Sequence, residues 1–430
     1  MENTFALKSW VPGADASGFP VQNLPFGVFR HEGDCRVAVR IGDYALDLLN
    51  LWRIGLLDGL GLKLSVLQND FLNDLISLGD KKRKALRSRL QDLLSENADA
   101  IEREKTNRCL KPLSETEMKL PLNIGDYTDF YSSEHHARNV GTMFRGAENA
   151  LMPNWKSLPV AYHGRSSSII ASGKPVSWPK GQICDSEGIP TIGESQRVDF
   201  ELEMAFVIGK NSKQGNPVEM KKAGDHVFGF VLFNDWSARD IQRWEYVPLG
   251  PFAGKNFASS ISHWITPLEA LEPFRTAGPE QSPDPLEYLQ KQSDWHFDVT
   301  LEVSVFTVDD HEEVICRTNS KHLYWDICQQ LAHHTLGGCN VRVGDLMASG
   351  TISGPNKGEW GSMLEASWNG EQPIVFGNGE KRSFLKEGDV VCLRGFAEFK
   401  GVRIELGEVR NQLLARSEEA VATAERNILN

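Results

Sequence analysis

Apolar and polar side chains that alternate with a period of two mark a half-buried strand, and the chain shows this early. Val37, Val39 and Ile41 alternate with Arg36, Ala38 and Arg40. Gly42-Asp43 supplies a two-residue turn, and Tyr44, Leu46 and Leu48 alternate back, which predicts a hairpin. The period then lengthens. Leu86, Leu90, Leu93, Leu94 and Ile101 recur at helical spacing with charges between them, predicting a helix that ends near Arg108. The polar stretch from Lys111 to Glu117 reads as a linker. Beyond it strands dominate: 200–207, 226–233, 297–308 and 390–393 are short and rich in β-branched or aromatic residues. Gly377-Asn378-Gly379 predicts a hairpin between Ile374-Val375-Phe376 and Phe384-Leu385, and the Pro-rich stretch 267–285 predicts a long surface excursion. The expected architecture is mainly β, of the α+β kind. A small β unit with helices spans 1–118, and a larger, mostly β unit spans 119–430.

Composition narrows the class. With 430 residues, 40% of them hydrophobic and 24% charged, the chain matches a soluble globular protein with a sizeable core. Its formal net charge of -12 disfavours a phosphate backbone as partner. The densest basic run, Lys81-Lys82-Arg83-Lys84 with Arg87 and Arg89, is answered by Asp92, Glu96, Asp99 and Glu102, and reads as a solvated helix face. Seven scattered cysteines without a C-x-x-C pair read as reduced thiols. The opening Met1-Glu2-Asn3-Thr4 lacks an apolar signal core, and no stretch is long and apolar enough to span a bilayer. Cytoplasmic residence is expected, with neither nucleic acid nor membrane as partner.

The chemistry concentrates in carboxylates. In Asp199-Phe200-Glu201-Leu202-Glu203-Met204-Ala205-Phe206, a strand turns Phe200, Leu202, Met204 and Phe206 one way and Glu201 and Glu203 the other. On a solvent face that pair means nothing; on a cleft wall it needs raised pKa values or a cation. Asp129 (in Asp126 to Tyr131) and Asp235 (in Phe233-Asn234-Asp235-Trp236) also lie among aromatic residues, and oxygen-only ligands suit Ca²⁺ or Mg²⁺. A helix predicted from about Asn234, capped by Asn234 or Ser237, puts Arg239, Gln242 and Tyr246 on one stripe of donors. Gly254-Lys255 follows in a loop. His135-His136, just after Asp129 and Tyr131 and on the same predicted loop, offers an imidazole as general base. His333-His334 lies in a helical stretch and reads as structural. Gly350 to Pro355 predicts a tight loop carrying Thr351, with Glu365 soon after.

Together these segments resemble the fumarylacetoacetate hydrolase family. The matching pieces are Asn23 to Phe29, Ile124 to Ser133, Ala150 to Trp155, Tyr162-His163-Gly164-Arg165, Glu201 to Phe206, Asn234 to Lys255, Ala348 to Pro355 and Gly361 to Glu365. The resemblance runs from near the N-terminus past residue 400 and is weakest in the helical region before the linker. It implies a small SH3-like N-terminal barrel, a larger β-roll catalytic domain and a homodimer. By the same resemblance Asp129, Glu201, Glu203 and Asp235 would hold Ca²⁺, and Asp235, Lys255 and Ser259 would hold Mg²⁺. His136 would be the general base, oriented by Glu365, while Arg239, Gln242 and Lys255 would stabilise an oxyanion. Tyr131, Arg145, Tyr162, Gln242, Tyr246 and Thr351 would touch the substrate, a small diketo acid. The implied reaction is metal-assisted hydrolysis of a carbon–carbon bond, the last step of tyrosine and phenylalanine breakdown.

One departure stands at the site. After Lys255 the family usually has Gly-Thr where this chain has Ala258-Ser259. Ser keeps the hydroxyl of Thr, so the expectation is an ordinary backbone there and a surviving Mg²⁺ contact through Ser259. Two rival readings compete: an acylpyruvate hydrolase, decarboxylase or isomerase of the same superfamily, and a dead metal-binding scaffold. The N-terminal match speaks against the first, and the presence of both His136 and Glu365 against the second.

Overall fold

The computed structural model describes residues 5–415, so the first four residues, on which the absence of a signal core was read, lie outside it. The predicted hairpin forms: β2 (Asp34–Ile41) turns at Gly42-Asp43 into β3 (Tyr44–Asp47), with Ile41 opposite Tyr44. Leu48 is not in the strand, because Asp47 accepts the Asn50 N–H and so caps α1 (Leu48–Arg53). With β1 (Phe26–His31), β4 (Leu110–Pro112) and β5 (Glu117–Met118) these strands make a five-stranded sheet in the order β4-β3-β2-β1-β5. The stretch read as a linker therefore closes both edges of this sheet.

The single helix predicted up to Arg108 is two helices. Helix α2 (Asp80–Leu94) stops where Ser95 turns extended, and Asp99 caps α3 (Ala100–Asn107) by accepting from Ile101 and Glu102. Ile101, counted in the apolar stripe, is 65% exposed. The basic run is also not all solvated. Arg83 and Arg87 are buried; Arg83 pairs with Asp80 and donates to the Ile76 carbonyl, and Arg87 donates to the carbonyls of Asn23 and Gln22.

Downstream, β6 (Tyr127–Phe130), β7 (Ala161–Gly164), β8 (Ile169–Ala171), β9 (Leu202–Ile208), β10 (Val227–Asp235) and β11 (Ser259–Ile261) belong to one large sheet. A second, five-stranded sheet follows from β12 (Thr300–Phe306) and β13 (Glu312–Asn319). Strand β14 (Leu346–Ala348) rejoins the large sheet, and β15 (Val390–Phe399), β16 (Val402–Leu414) and the short strand Val176–Ser177 complete the second. The large sheet is mixed, in the order β7-β6-β14-β9-β10-β11-β8, with the β6–β14 and β8–β11 pairs parallel. The hairpin around Gly377 forms as well, but Ile374–Val375 pairs with Lys381–Arg382 rather than 384–385. The excursion 267–285 begins as structure: Ala270, Leu271 and Phe274 are buried before the chain runs over the surface.

Two apolar layers sandwich the large sheet. Phe200, Leu202, Met204 and Phe206 face Leu301, Val303, Val391, Leu393 and Leu406 of the second sheet, as their alternation predicts. On the other face Ala205, Val207, Val231, Phe233, Ile261 and Tyr127 pack with Val28, Val37, Val39 and Leu90 of the N-terminal part. That second face carries the site.

Candidate active site

The face that packs on the N-terminal part changes character toward one end. Along β9, the apolar pair Ala205 and Val207 is preceded on the same side by Glu203 and Glu201. On β10 Phe233 is followed by Asp235, on β6 Tyr127 by Asp129, and on β11 Ile261 is preceded by Ser259. Strand register sets Asp235 opposite Ser259 and Asp129 level with Ala348. The result is that carboxylate oxygens of Asp129, Glu201, Glu203 and Asp235, all buried, lie within 4.8 Å of one another. Alternation alone gives the pointing direction; the pairing order of the strands brings the four together.

Two cations enter this cluster. The Lys255 ammonium donates to Glu201 Oε2 at 2.6 Å and Asp235 Oδ2 at 2.7 Å. The Arg239 guanidinium reaches Glu201 Oε1 at 2.6 Å through Nη1 and Asp199 Oδ2 at 2.9 Å through Nε. Burial alone would raise the Glu201 carboxyl, but Lys255 and Arg239 outweigh it and hold the group well below the usual carboxylate range. Burial would likewise lower Lys255 and Arg239, and the carboxylates around them keep both firmly protonated. As placed, the Lys255 ammonium is a counter-ion to Glu201 and Asp235, two of the four carboxylates.

Asp129 and Glu203 are left over. Burial, and then the neighbouring carboxylates, push both well above the ordinary carboxylate range. Asp129 Oδ1 and Glu203 Oε1 are buried with no hydrogen-bond partner among the described residues. Two orphaned oxygens inside a four-carboxylate cage fit a hard cation, which would supply the charge that the two side-chain cations do not. The other Glu203 oxygen accepts the Gly350 N–H at 3.0 Å. Only glycine suits position 350, since its φ is +76° and a Cβ would meet the Phe130 carbonyl oxygen at 2.0 Å. The Ala258-Ser259 departure is accommodated: Ala258 is not among the positive-φ residues, and Ser259 Oγ donates to Asp235 Oδ1 at 3.0 Å.

His136 does not sit on the loop that the sequence suggests. Ser133 accepts its backbone N–H and caps α4 (Glu134–Arg145), so the imidazole projects from the first turn of a helix. Its Nδ1 lies 2.7 Å from Glu365 Oε2, both residues being buried. Glu365 lies in α7 (Met363–Ala366), capped by Ser362. Burial acts to raise the Glu365 carboxyl, but His136, Asn139 and Ser362 prevail and lower it. Asn139 donates to Oε1 at 2.9 Å, and Ser353 and Ser362 donate to Oε2 at 3.0 and 2.9 Å. With Nδ1 engaged, Nε2 is the nitrogen left to accept a proton. The Tyr131 ring meets the His136 ring edge-on, with centroids 5.3 Å apart.

The expected donor helix is shorter than predicted. Strand β10 runs on to Asp235, Ser237–Ala238 pairs with Val198–Asp199, and α5 covers Arg239–Glu245 with Ala238 as an N-cap lacking a side-chain bond. Neither Asn234 nor Ser237 caps it; Asn234 Oδ1 instead accepts the Glu201 N–H. Gln242 turns its Oε1 to Arg239, leaving its amide nitrogen as a donor, and Tyr246 at the helix end is 48% exposed. Thr351 is buried, and its hydroxyl has no partner among the described residues. Arg145 is exposed and spends Nε and one Nη on the carbonyls of Asn149 and Ala150. Tyr162 donates its hydroxyl to Asp235 Oδ2 at 2.8 Å, which ties it to the acid cluster. His334, on α6 (Ile327–Leu336), stands apart, its Nε2 3.0 Å from Thr128 Oγ1, and His333 bonds Tyr288. Asp199, Asn139 and Ser362 do not stand out in the sequence; only the Ser362-x-x-Glu365 capping spacing points to one of them.

Residues 22–121 match the family described as fumarylacetoacetase N-terminal, and residues 126–414 match fumarylacetoacetate (FAA) hydrolase C-terminal. The chain is 49% identical over 419 residues to the fumarylacetoacetase of Caenorhabditis elegans, covering 95% of this chain and 99% of that one. It is 47% identical to the Bos taurus fumarylacetoacetase (94% and 98% covered) and 46% identical to the Homo sapiens one (94% and 98%). Among solved structures, a fumarylacetoacetate hydrolase from psychrophilic Exiguobacterium antarcticum shares the fold at TM-score 0.51 and 17% identity, covering 91% of this chain and 100% of that one.

Proposed function

The chain belongs to the fumarylacetoacetate hydrolase family, and from that premise we propose how its site works. The enzyme hydrolyses a carbon–carbon bond of 4-fumarylacetoacetate to give fumarate and acetoacetate, the last step of tyrosine and phenylalanine breakdown. The observation that carries this reading is the buried His136–Glu365 pair beside a four-carboxylate cage. Asp129, Glu201, Glu203 and Asp235 would hold a Ca²⁺, and Asp235, Lys255 and Ser259 a Mg²⁺. A cation held by these residues would supply Lewis-acid stabilisation of the negative charge that develops on the substrate's oxygens.

The chain's own groups do the rest. His136 Nε2 takes a proton from water as the water oxygen bonds to the ketone carbon, and Glu365 holds the imidazolium that results. Arg239, Gln242 and Lys255 surround the place where the oxyanion develops. As the oxyanion collapses, the carbon–carbon bond breaks and its electron pair leaves as the enolate of acetoacetate, which the His136 imidazolium reprotonates. Tyr131, Arg145, Tyr162, Gln242, Tyr246 and Thr351 frame the substrate; the unpartnered Thr351 hydroxyl supports this most directly.

On the same resemblance, residues 1–118 form an SH3-like barrel with helices, 119–430 form a β-roll catalytic domain, and two copies work as a homodimer. Cytoplasmic residence is supported by the unpaired state of the seven cysteines. Among the described residues no helix is long and apolar enough to cross a membrane. The test is loss of the enol absorbance of fumarylacetoacetate, measured against acylpyruvates. Turnover of fumarylacetoacetate at the higher kcat/KM is expected; a preference for acylpyruvates would shift the assignment to a different reaction of the superfamily.

A further inference from the structure

Asp199 joins the two halves of the machinery. It is completely buried and sits just before Glu201, at the point where Val198–Asp199 pairs with Ser237–Ala238 ahead of α5. Its Oδ2 accepts from Arg239 Nε at 2.9 Å and lies 2.8 Å from Nη2 of the same guanidinium. The same carboxylate accepts the first backbone N–H groups of α7: Met363 on Oδ1 at 2.8 Å and Leu364 on Oδ2 at 2.9 Å. The first N–H groups of a helix have no partner within it, so they are free to take an outside acceptor and favour a negative one. Asp199 thus grips the helix one residue before Glu365 and, with Oδ2 of the same carboxylate, fixes the cation that faces Glu201.

The consequence is geometric. Glu365 aligns the His136 imidazole, and Arg239 stands among the oxyanion donors; the two share no contact of their own that the structure records. We propose that Asp199 is a positioning residue that sets the distance between the water-activating pair and the oxyanion donors. The proposal rests on the roles given above to His136, Glu365 and Arg239. Asp199 touches neither reacting atoms nor the four-carboxylate cage, so it acts through Arg239, α7 and the Phe200 N–H that its Oδ1 also accepts. Misplacing catalytic groups by a fraction of an ångström lowers kcat more than it changes substrate binding.

The test uses the full-length enzyme with fumarylacetoacetate. Wild-type turnover is read first: its absence defeats the functional assignment itself, whereas everything that follows bears on Asp199. Asp199→Asn keeps shape and one acceptor oxygen but turns an amide NH₂ toward N–H donors. Its kcat should fall at least about tenfold with KM changed less than about threefold, the scale that misorientation produces. In Arg239→Lys and in Glu365→Gln backgrounds the same substitution should cost at least threefold less than in wild type, because each background has already lost one thing that Asp199 positions. Losses that multiply fully in both backgrounds, or a change confined to KM, would overturn the proposal. If Asp199→Asn does not fold, Asp199→Glu takes its place with the same expected split. Failure of both to fold makes the residue structural and overturns the positioning role as well.

Discussion

A single side chain in this site is defined by what surrounds it. His136 is buried, with Nδ1 committed to Glu365, so its replacement removes the group that can take a proton from water without touching the acid cage. His136→Ala should lower kcat by about 10²–10⁴-fold with a smaller change in KM, and Glu365→Gln should lower kcat in the same direction. Wild-type turnover in His136→Ala would move the base elsewhere, first to the half-buried His135 next to it. Ser259 gives a finer test. Its hydroxyl lies 3.0 Å from Asp235 on an ordinary strand backbone, so Ser259→Thr should be nearly silent. Ser259→Ala should raise the Mg²⁺ concentration that half-saturates activity; an unchanged requirement removes Ser259 from the second cation site. Residues of this kind were legible because their motifs are long and local. Asp199 and Asn139 were not, since each acts on a partner more than 160 residues away that nothing in the local pattern names.

At the scale of elements, periodicity located strands well and helix ends poorly. Strands β2, β3, β9 and β10 were legible because their alternation matches what each face meets. The predicted helix to Arg108 failed because apolar spacing carried across a break that Ser95 and the Asp99 cap impose. Helix α2 shows a subtler miss, since charge alone does not reveal which arginine has carbonyls waiting for it. Burial pushes the Arg87 guanidinium down to about 10, yet its donors are filled by two carbonyls of the 22–23 turn. Arg87→Ala should therefore destabilise the fold by about 2–4 kcal/mol, from lost charged hydrogen bonds, two stranded acceptors and a cavity. Lys81→Ala, exposed and nearly two turns earlier on the same helix, should stay within about 0.5 kcal/mol. Urea unfolding of the two variants distinguishes a docked helix from a solvated one; equal midpoints would restore the solvated-face reading.

The whole molecule carries two electrostatic burdens, and they answer to different reagents. The first is the acid cage, where burial and neighbouring carboxylates outweigh Lys255 at Asp129 and Glu203, and one oxygen of each has no partner among the described residues. A strong chelator should abolish turnover and lower the melting temperature together, and Ca²⁺ or Mg²⁺ should restore both, because ligand binding to the folded state alone stabilises it. Full activity in metal-free protein would refute that. The second burden is buried histidine. His296 is 3% exposed, with Nε2 2.8 Å from the Leu323 carbonyl, and burial lowers its pKa to about 3. A histidine whose folded pKa lies below its unfolded value of roughly 6.5 binds no proton in the native state but takes one up on unfolding. Its contribution is present in full above that value and is lost as pH falls from there toward 3. Within this window it should add about 1.4 kcal/mol of lost stability for each pH unit. His296→Gln keeps a donor for the Leu323 carbonyl and cannot titrate, so its unfolding free energy between pH 6.5 and 5 should fall less steeply than wild type by about that slope. Parallel curves for the two proteins would mean that His296 is not held neutral, and that acid destabilises this fold through other groups.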